Sequence, residues 1–290
     1  MKVLVTGAQG QLGRALAAAC PPGVSMMALG RDRLDIGQAG DVHRVIGGEA
    51  PDLVINAAAY TAVDRAEAEP ELAMRLNGAA PGWLATAARA VGARFVHVSS
   101  DFVFDGTRAS PYPPDAPPNP LSVYGRSKLE GERAVLAAHP DALVVRTAWV
   151  HDGQGRNFVR TMLGLMQTRE EVRVVCDQLG TPTHAPSLAR AIWGLVAAEA
   201  KGVFHWTDAG VASWYDFAVA IQEEGLALGL LDRAVPVRPI RTADYPTPAR
   251  RPACAILDKE ASWRLLGPAR HWRVELRSAL AALAAARAPA

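Results

Sequence analysis

Short apolar runs alternate along most of this chain with stretches whose apolar residues recur at helical spacing. Lys2–Thr6, Val24–Leu29, Leu53–Asn56, Arg94–Val98 and Ala142–Arg146 read as strands. Between them Gly13–Cys20, Asp41–Gly47, Pro70–Ala90 and Tyr124–His139 read as helices, the first closed by Pro21-Pro22. The Pro70–Ala90 stretch carries its pattern on Leu72, Leu76, Ala80, Leu84, Ala87 and Ala88 and is expected to be one uninterrupted helix. A proline-rich loop, Pro111–Pro120, precedes the fourth helix. Further on, Asn157–Met166 and Ser187–Glu199 read as helices and Val172–Asp177 as a strand. The pattern then loosens into a short strand, Val203–Trp206, a helix, Trp214–Glu224, proline-rich loops and an alanine-rich tail, Ser278–Ala290, expected to be a frayed helix.

The strands are apolar on both faces, as expected of a parallel sheet covered by helices on either side. The expected fold class is therefore α/β: a Rossmann-type doubly wound parallel sheet with a smaller α+β C-terminal substrate domain. Residues 1–150 would form the dinucleotide-binding core. Residues 151–201 would continue it with crossover segments, and residues 202–290 would mainly bind substrate over the carboxyl edge of the sheet.

Composition narrows the function classes. The chain has 290 residues, half of them hydrophobic, and a formal charge of +2, which gives no electrostatic case for nucleic acid or a membrane surface. No apolar run approaches the ~20 residues that span a bilayer. The strand-like start leaves no room for a signal peptide, and Cys20, Cys176 and Cys254 have the wide, odd spacing of reduced thiols, so a cytoplasmic protein is expected. His43, His97, His139, His151, His184, His205 and His271 have no ligand spacing, and no metal site is expected. Trp193, Trp206 and Trp214 are expected in the core.

Two stretches carry chemistry. Gly7, Gly10 and Gly13 form G-x-x-G-x-x-G after a strand and at the opening of a helix. Glycines there let the backbone approach a pyrophosphate whose charge the helix amides meet. Arg31, at the end of the second strand, would meet the 2′-phosphate of NADPH, although Asp32 and Asp35 stand close enough to serve NADH, which should be tolerated. Tyr124 and Lys128 lie one helical turn apart. A nearby ammonium lowers the pKa of a phenol, which then protonates a carbonyl oxygen under reduction. Taken alone, the pair is equally a surface Tyr and a surface Lys.

Ordered blocks raise its significance. They include Thr6–Gly13, Val54–Asp64, Glu67–Pro70, Ser99–Gly106, Asn119-Pro120-Leu121, Val123-Tyr124-Gly125 with Lys128–Glu132, Arg146–Val150, Asp177–Thr183 and Tyr245–Pro252. Over nearly its whole length the chain resembles the extended short-chain dehydrogenase/reductases, and within them the dTDP-4-dehydrorhamnose reductase family. The resemblance implies NADPH-dependent reduction of the C4 keto group of dTDP-4-dehydro-L-rhamnose. It implies Ser100, Tyr124 and Lys128 as the catalytic set. Gly7, Gln9, Gly10, Gln11, Leu12, Gly13, Arg31, Asp35, Ile36, Asn56, Ala57, Ala58, Ala59, Tyr60 and Asn77 would hold the cofactor. Thr61, Val63, Asp101, Trp149 and Arg251 would join Ser100 around the nucleotide-sugar substrate, with Asp101 equally readable as a turn-former. Some relatives dimerise through magnesium held by glutamates; here the matching places hold Ala15, Pro186 and alanines, so a monomer or a homodimer without a metal bridge is expected. Two rivals stay open: a 4-ketoreductase of another deoxysugar nucleotide, and a non-catalytic subunit like the regulatory subunit of methionine adenosyltransferase.

Overall fold

A computed structural model describes residues 1–286. Six parallel strands form the central sheet: β1 Lys2–Thr6, β2 Ser25–Leu29, β3 Leu53–Asn56, β4 Arg94–Ser100, β5 Leu143–Thr147 and β6 Gly202–His205. Their spatial order is β6-β5-β4-β3-β1-β2. The chain leaves β1 for β2 on one side and returns to β3 on the other. That reversal opens a crevice at the carboxyl ends of β1 and β3.

Alternation along β1 assigns the two faces of the sheet. Val3 and Val5 point to one side and pack with Leu12 and Leu16 of α1 (Gln11–Ala18) and Leu188 and Ile192 of α6 (Ala185–Ala197). Leu4 points to the other side, with Val42 and Ile46 of α2 (Ala39–Glu49), Leu84 and Ala88 of α3 (Ala80–Ala90) and Val135 of α4 (Val123–Ala138). A second lobe is built from α5 (Phe158–Thr168), α7 (Trp214–Ala227) and α8 (Trp272–Ala285) around Leu163, Phe217 and Leu276. Its parallel strand pair is Val172–Val175 with Val237–Ile240. The chain therefore crosses between lobes more than once.

Three features depart from the sequence pattern. The strand read as opening the C-terminal region belongs to the central sheet, because Gly202–His205 hydrogen-bonds in parallel register to Leu143–Arg146. The helix over Pro70–Ala90 is not uniform: Pro70–Ala73 is α-helical, Met74–Ala79 is π-helical, and only then does α3 begin. The tail is helical to Ala285, and residues 287–290 of the expected frayed helix lie outside the described residues.

Candidate active site

The glycine turn comes first. Gly7 has φ +72°, and a Cβ there would fall 2.8 Å from the Ala58 backbone, so glycine alone lets β1 and β3 end this close together. Gly10 donates to the Gly7 carbonyl at 2.9 Å and opens α1. A side chain on Gly13 would collide with that same carbonyl, so Gly13 packs the helix onto the turn and does not face the ligand space. The free amides at the start of α1 point at a cleft of about 1000 Å³ along the carboxyl edge of the sheet.

Gln9, Gly10, Gln11, Leu12, Arg31, Asp35, Ile36, Ala57, Ala58, Ala59 and Tyr60 line this cleft, as do Thr61, Val63, Ser100, Asp101, Tyr124, Lys128, Trp149 and Arg251. Asn56 and Asn77 stand behind the wall. Asn56 is fully buried, accepts from Thr6 Oγ1 at 2.7 Å and pairs with His97 Nδ1 at 3.1 Å. Asn77 holds the Tyr60 backbone at both ends, at 2.8 and 2.9 Å, and donates to Ser127 Oγ at 3.1 Å. It therefore joins the π-helical segment both to the cleft wall and to α4.

Ser122 caps α4 by accepting from the Gly125 amide, which sets the first helical turn and places Tyr124 and Lys128 on the cleft side. Both are buried. Lys128 Nζ donates to the Val98 carbonyl at 2.7 Å, and burial pushes its pKa down to about 8. Burial pushes the Tyr124 phenol up to about 12; the Ser100 hydroxyl offsets this in part, and the charge of Asp101 adds to it. The net shift of the phenol is thus upward, where the Tyr–Lys spacing suggested a lowered one. Desolvation is the largest cause and outweighs the Ser100 hydrogen bond, and the Lys128 ammonium is committed to a backbone carbonyl.

Ser100, at the end of β4, donates to Asp101 Oδ1 at 2.9 Å and accepts from the Phe102 amide at 3.2 Å. Asp101 is only 2 % exposed, and burial raises its pKa to about 7. Opposite, Trp149 adopts φ +46° and stacks on Trp214, with centroids 3.5 Å apart and planes 8° apart. A side chain on Gly180 would strike the Trp149 ring, so glycine is needed for the indole to lie there. Arg251 forms a two-pronged ion pair with Asp64, at 3.0 and 2.9 Å.

A nucleotide cofactor fits this wall. Ser99 Oγ, Asp101 Oδ2, Thr147 Oγ1 and both ring nitrogens of His151 are buried on cleft-lining residues with no partner in the protein. Buried polar atoms of this kind are normally satisfied, and here a ligand would satisfy them. Arg31 is exposed and makes no ion pair among the described residues.

The RmlD substrate binding domain family matches residues 1–285. The chain belongs to this family. A relative from Burkholderia thailandensis, a dTDP-4-dehydrorhamnose reductase, is 46 % identical over 272 residues, covering 90 % of this chain and 91 % of its own. The crystal structure of a dTDP-4-dehydrorhamnose reductase from Clostridium acetobutylicum superposes with TM-score 0.91 at 40 % identity, covering 98 % and 99 % of the two chains. One from Bacillus anthracis, in complex with NADP, gives TM-score 0.90 at 34 % identity, covering 96 % and 98 %.

Some wall residues of this RmlD-family chain escape sequence reasoning. Trp193 and Trp206 are buried as expected, but Trp214 lines the cleft beside Phe158 and His151. The Ser213–Asp216 capping box places Trp214 at the first turn of α7, and it is legible in the sequence. Which lobe that turn faces is not. No helix of the described residues is long and apolar enough to cross a membrane, and no three His, Cys, Asp or Glu side chains among them gather around a common point.

Proposed function

We propose that this protein reduces the C4 keto group of dTDP-4-dehydro-L-rhamnose with NADPH, giving dTDP-L-rhamnose. The observation that carries this reading is the convergence of the glycine cradle with Ser100, Tyr124 and Lys128 in one cleft. When bound, NADPH supplies the hydride. The amides at the start of α1 would hold the pyrophosphate, Arg31 the 2′-phosphate, and Lys128 the nicotinamide ribose. Ser100 would hydrogen-bond the ketone oxygen, and Tyr124 would protonate it as the carbonyl becomes an alcohol.

Thr61, Val63, Asp101, Trp149 and Arg251 would contact the nucleotide sugar. The guanidinium of Arg251 would meet its anionic part, and the Trp149 face would meet a ring. Residues 202–290 would supply much of the substrate side, with β6 remaining in the sheet. The protein would act in the cytoplasm, where Cys20, Cys176 and Cys254 stay reduced, as a monomer or a homodimer without a metal bridge, with neither nucleic acid nor membrane as partner.

The test is NADPH oxidation with the ketone generated in situ from dTDP-glucose by a 4,6-dehydratase and a 3,5-epimerase. Fast turnover that requires the epimerase supports the proposal. Turnover without it would assign a different deoxysugar, and bound NADPH without turnover would favour a non-catalytic subunit.

A further inference from the structure

We propose that Asp101 is the proton reservoir of the site and re-protonates Tyr124 through the Ser100 hydroxyl after each reduction. This rests on the reductase reading and adds to it a route by which the phenol recovers its proton.

The geometry brings the three groups to one cleft. Ser100 Oγ is 2.9 Å from Asp101 Oδ1 and borders the same cleft as Tyr124. Asp101 Oδ2 is buried without a partner, so nothing in the protein stabilises a full carboxylate charge at that oxygen. The charged and titratable groups around it are few. Helix α4, packed against the Asp101 turn, presents Tyr124 and Lys128, and Lys128 is bonded to Val98. Across the cleft Arg251 is paired with Asp64. Ser100 is the only side chain hydrogen-bonded to Asp101 among the described residues. Burial keeps a protonated fraction of Asp101 at neutral pH, and a charge on Asp101 holds the proton on Tyr124 more tightly. The pair thus resists carrying two negative charges.

The balance is simple. Tyr124 loses its Oη–H proton to the sugar oxygen and becomes a phenolate. The phenolate takes the Ser100 hydroxyl proton while Ser100 Oγ takes the carboxyl proton of Asp101. The resulting carboxylate regains a proton from solvent at the cleft mouth. No electrons are exchanged in the relay.

The experiment compares the parent with Asp101→Asn, which keeps the shape and the acceptor for Ser100 but carries no acidic proton. In the parent, kcat should fall as pH rises through about 7, while the variant should lose about a hundredfold in kcat and lose that limb, beside any rise in KM from the lost sugar contact. A higher KM with kcat and the limb intact would make Asp101 a sugar ligand only and overturn the proposal. So would a parent that reduces the ketone with kcat flat across neutral pH, although the reductase reading would then stand. If the parent reduces no ketone, the reductase reading fails, and tyrosinate absorbance still decides the coupling. Titrated against Tyr124→Phe to isolate one phenol, Asp101→Asn should lower the Tyr124 pKa, and an unchanged titration would overturn the proposal.

Discussion

A phenol held near a pKa of 12 by burial is a weak acid at neutral pH, so it gives up its proton only to an oxygen that is already becoming an alkoxide. Proton transfer from Tyr124 would therefore accompany reduction of the ketone and not precede it. Tyr124→Phe should lower kcat by roughly 10²- to 10⁴-fold and leave NADPH binding intact, which quenching of protein fluorescence by the cofactor would measure. A chain that only binds the nucleotide would show no functional loss in that variant. Arg31 invites a second test. Its guanidinium is exposed at the end of β2 and unpaired among the described residues, so it would be free to meet a phosphate. Arg31→Ala should raise KM for NADPH about tenfold, the loss of one charge-assisted hydrogen bond, while KM for NADH stays where it was. Equal changes for both cofactors would remove Arg31 from 2′-phosphate recognition.

At the level of elements, the π-helical Met74–Ala79 segment joins the cleft wall to α4. A wider turn there presents Asn77 to both Tyr60 and Ser127, and the Asn77 carbonyl lies against Gly131 of α4. A methyl on Gly131 would collide with that carbonyl, so Gly131→Ala should cost about 1–3 kcal/mol in chemical denaturation. Gly47→Ala, in the exposed part of α2 where a Cβ meets nothing, should instead stabilise by up to about 1 kcal/mol. The same contrast shows what a sequence discloses. Doubly buried strands such as Val3-Leu4-Val5 and a glycine turn next to them are written in local residue types, so the sheet and the cradle were legible. The π-turn was not, because Leu72, Leu76 and Ala80 keep helical spacing through it, and the contacts it makes with α4 are not local in sequence. The pKa of Tyr124 was not legible either: spacing puts Lys128 on the same face, but burial decides the sign. Trp214 was hidden for a related reason, since its helix start is local and the stack on Trp149 is not.

Across the whole molecule, buried titratable groups pull stability in opposite directions with pH. His151 and His205 are pushed down to about 3 by burial, so below pH 6.5 the unfolded chain binds protons that the folded chain refuses. That favours unfolding as pH falls. Asp101 and Asp208 are raised to about 7 and about 6, so above pH 4 the folded chain keeps protons that the unfolded chain has released. That favours unfolding as pH rises. From about pH 4 to 6 the two aspartates offset two of the three lowered histidines, and His97, the third and likewise lowered by burial, leaves a net loss of stability as pH falls. Below pH 4 the aspartates no longer contribute a slope, the histidines still do, and the lowered carboxyls of Asp64 and Glu275 add to the loss. Asp101→Asn removes one member of this balance. Its unfolding free energy relative to the parent should be constant below pH 4 and rise between pH 4 and 7 by up to about 1.4 kcal/mol per pH unit. Urea titrations of both proteins across that range would measure it. A difference that stays flat through pH 7 would mean that Asp101 ionises in the folded protein as an ordinary carboxyl, and Asp101 could not then store a proton for Tyr124 at neutral pH.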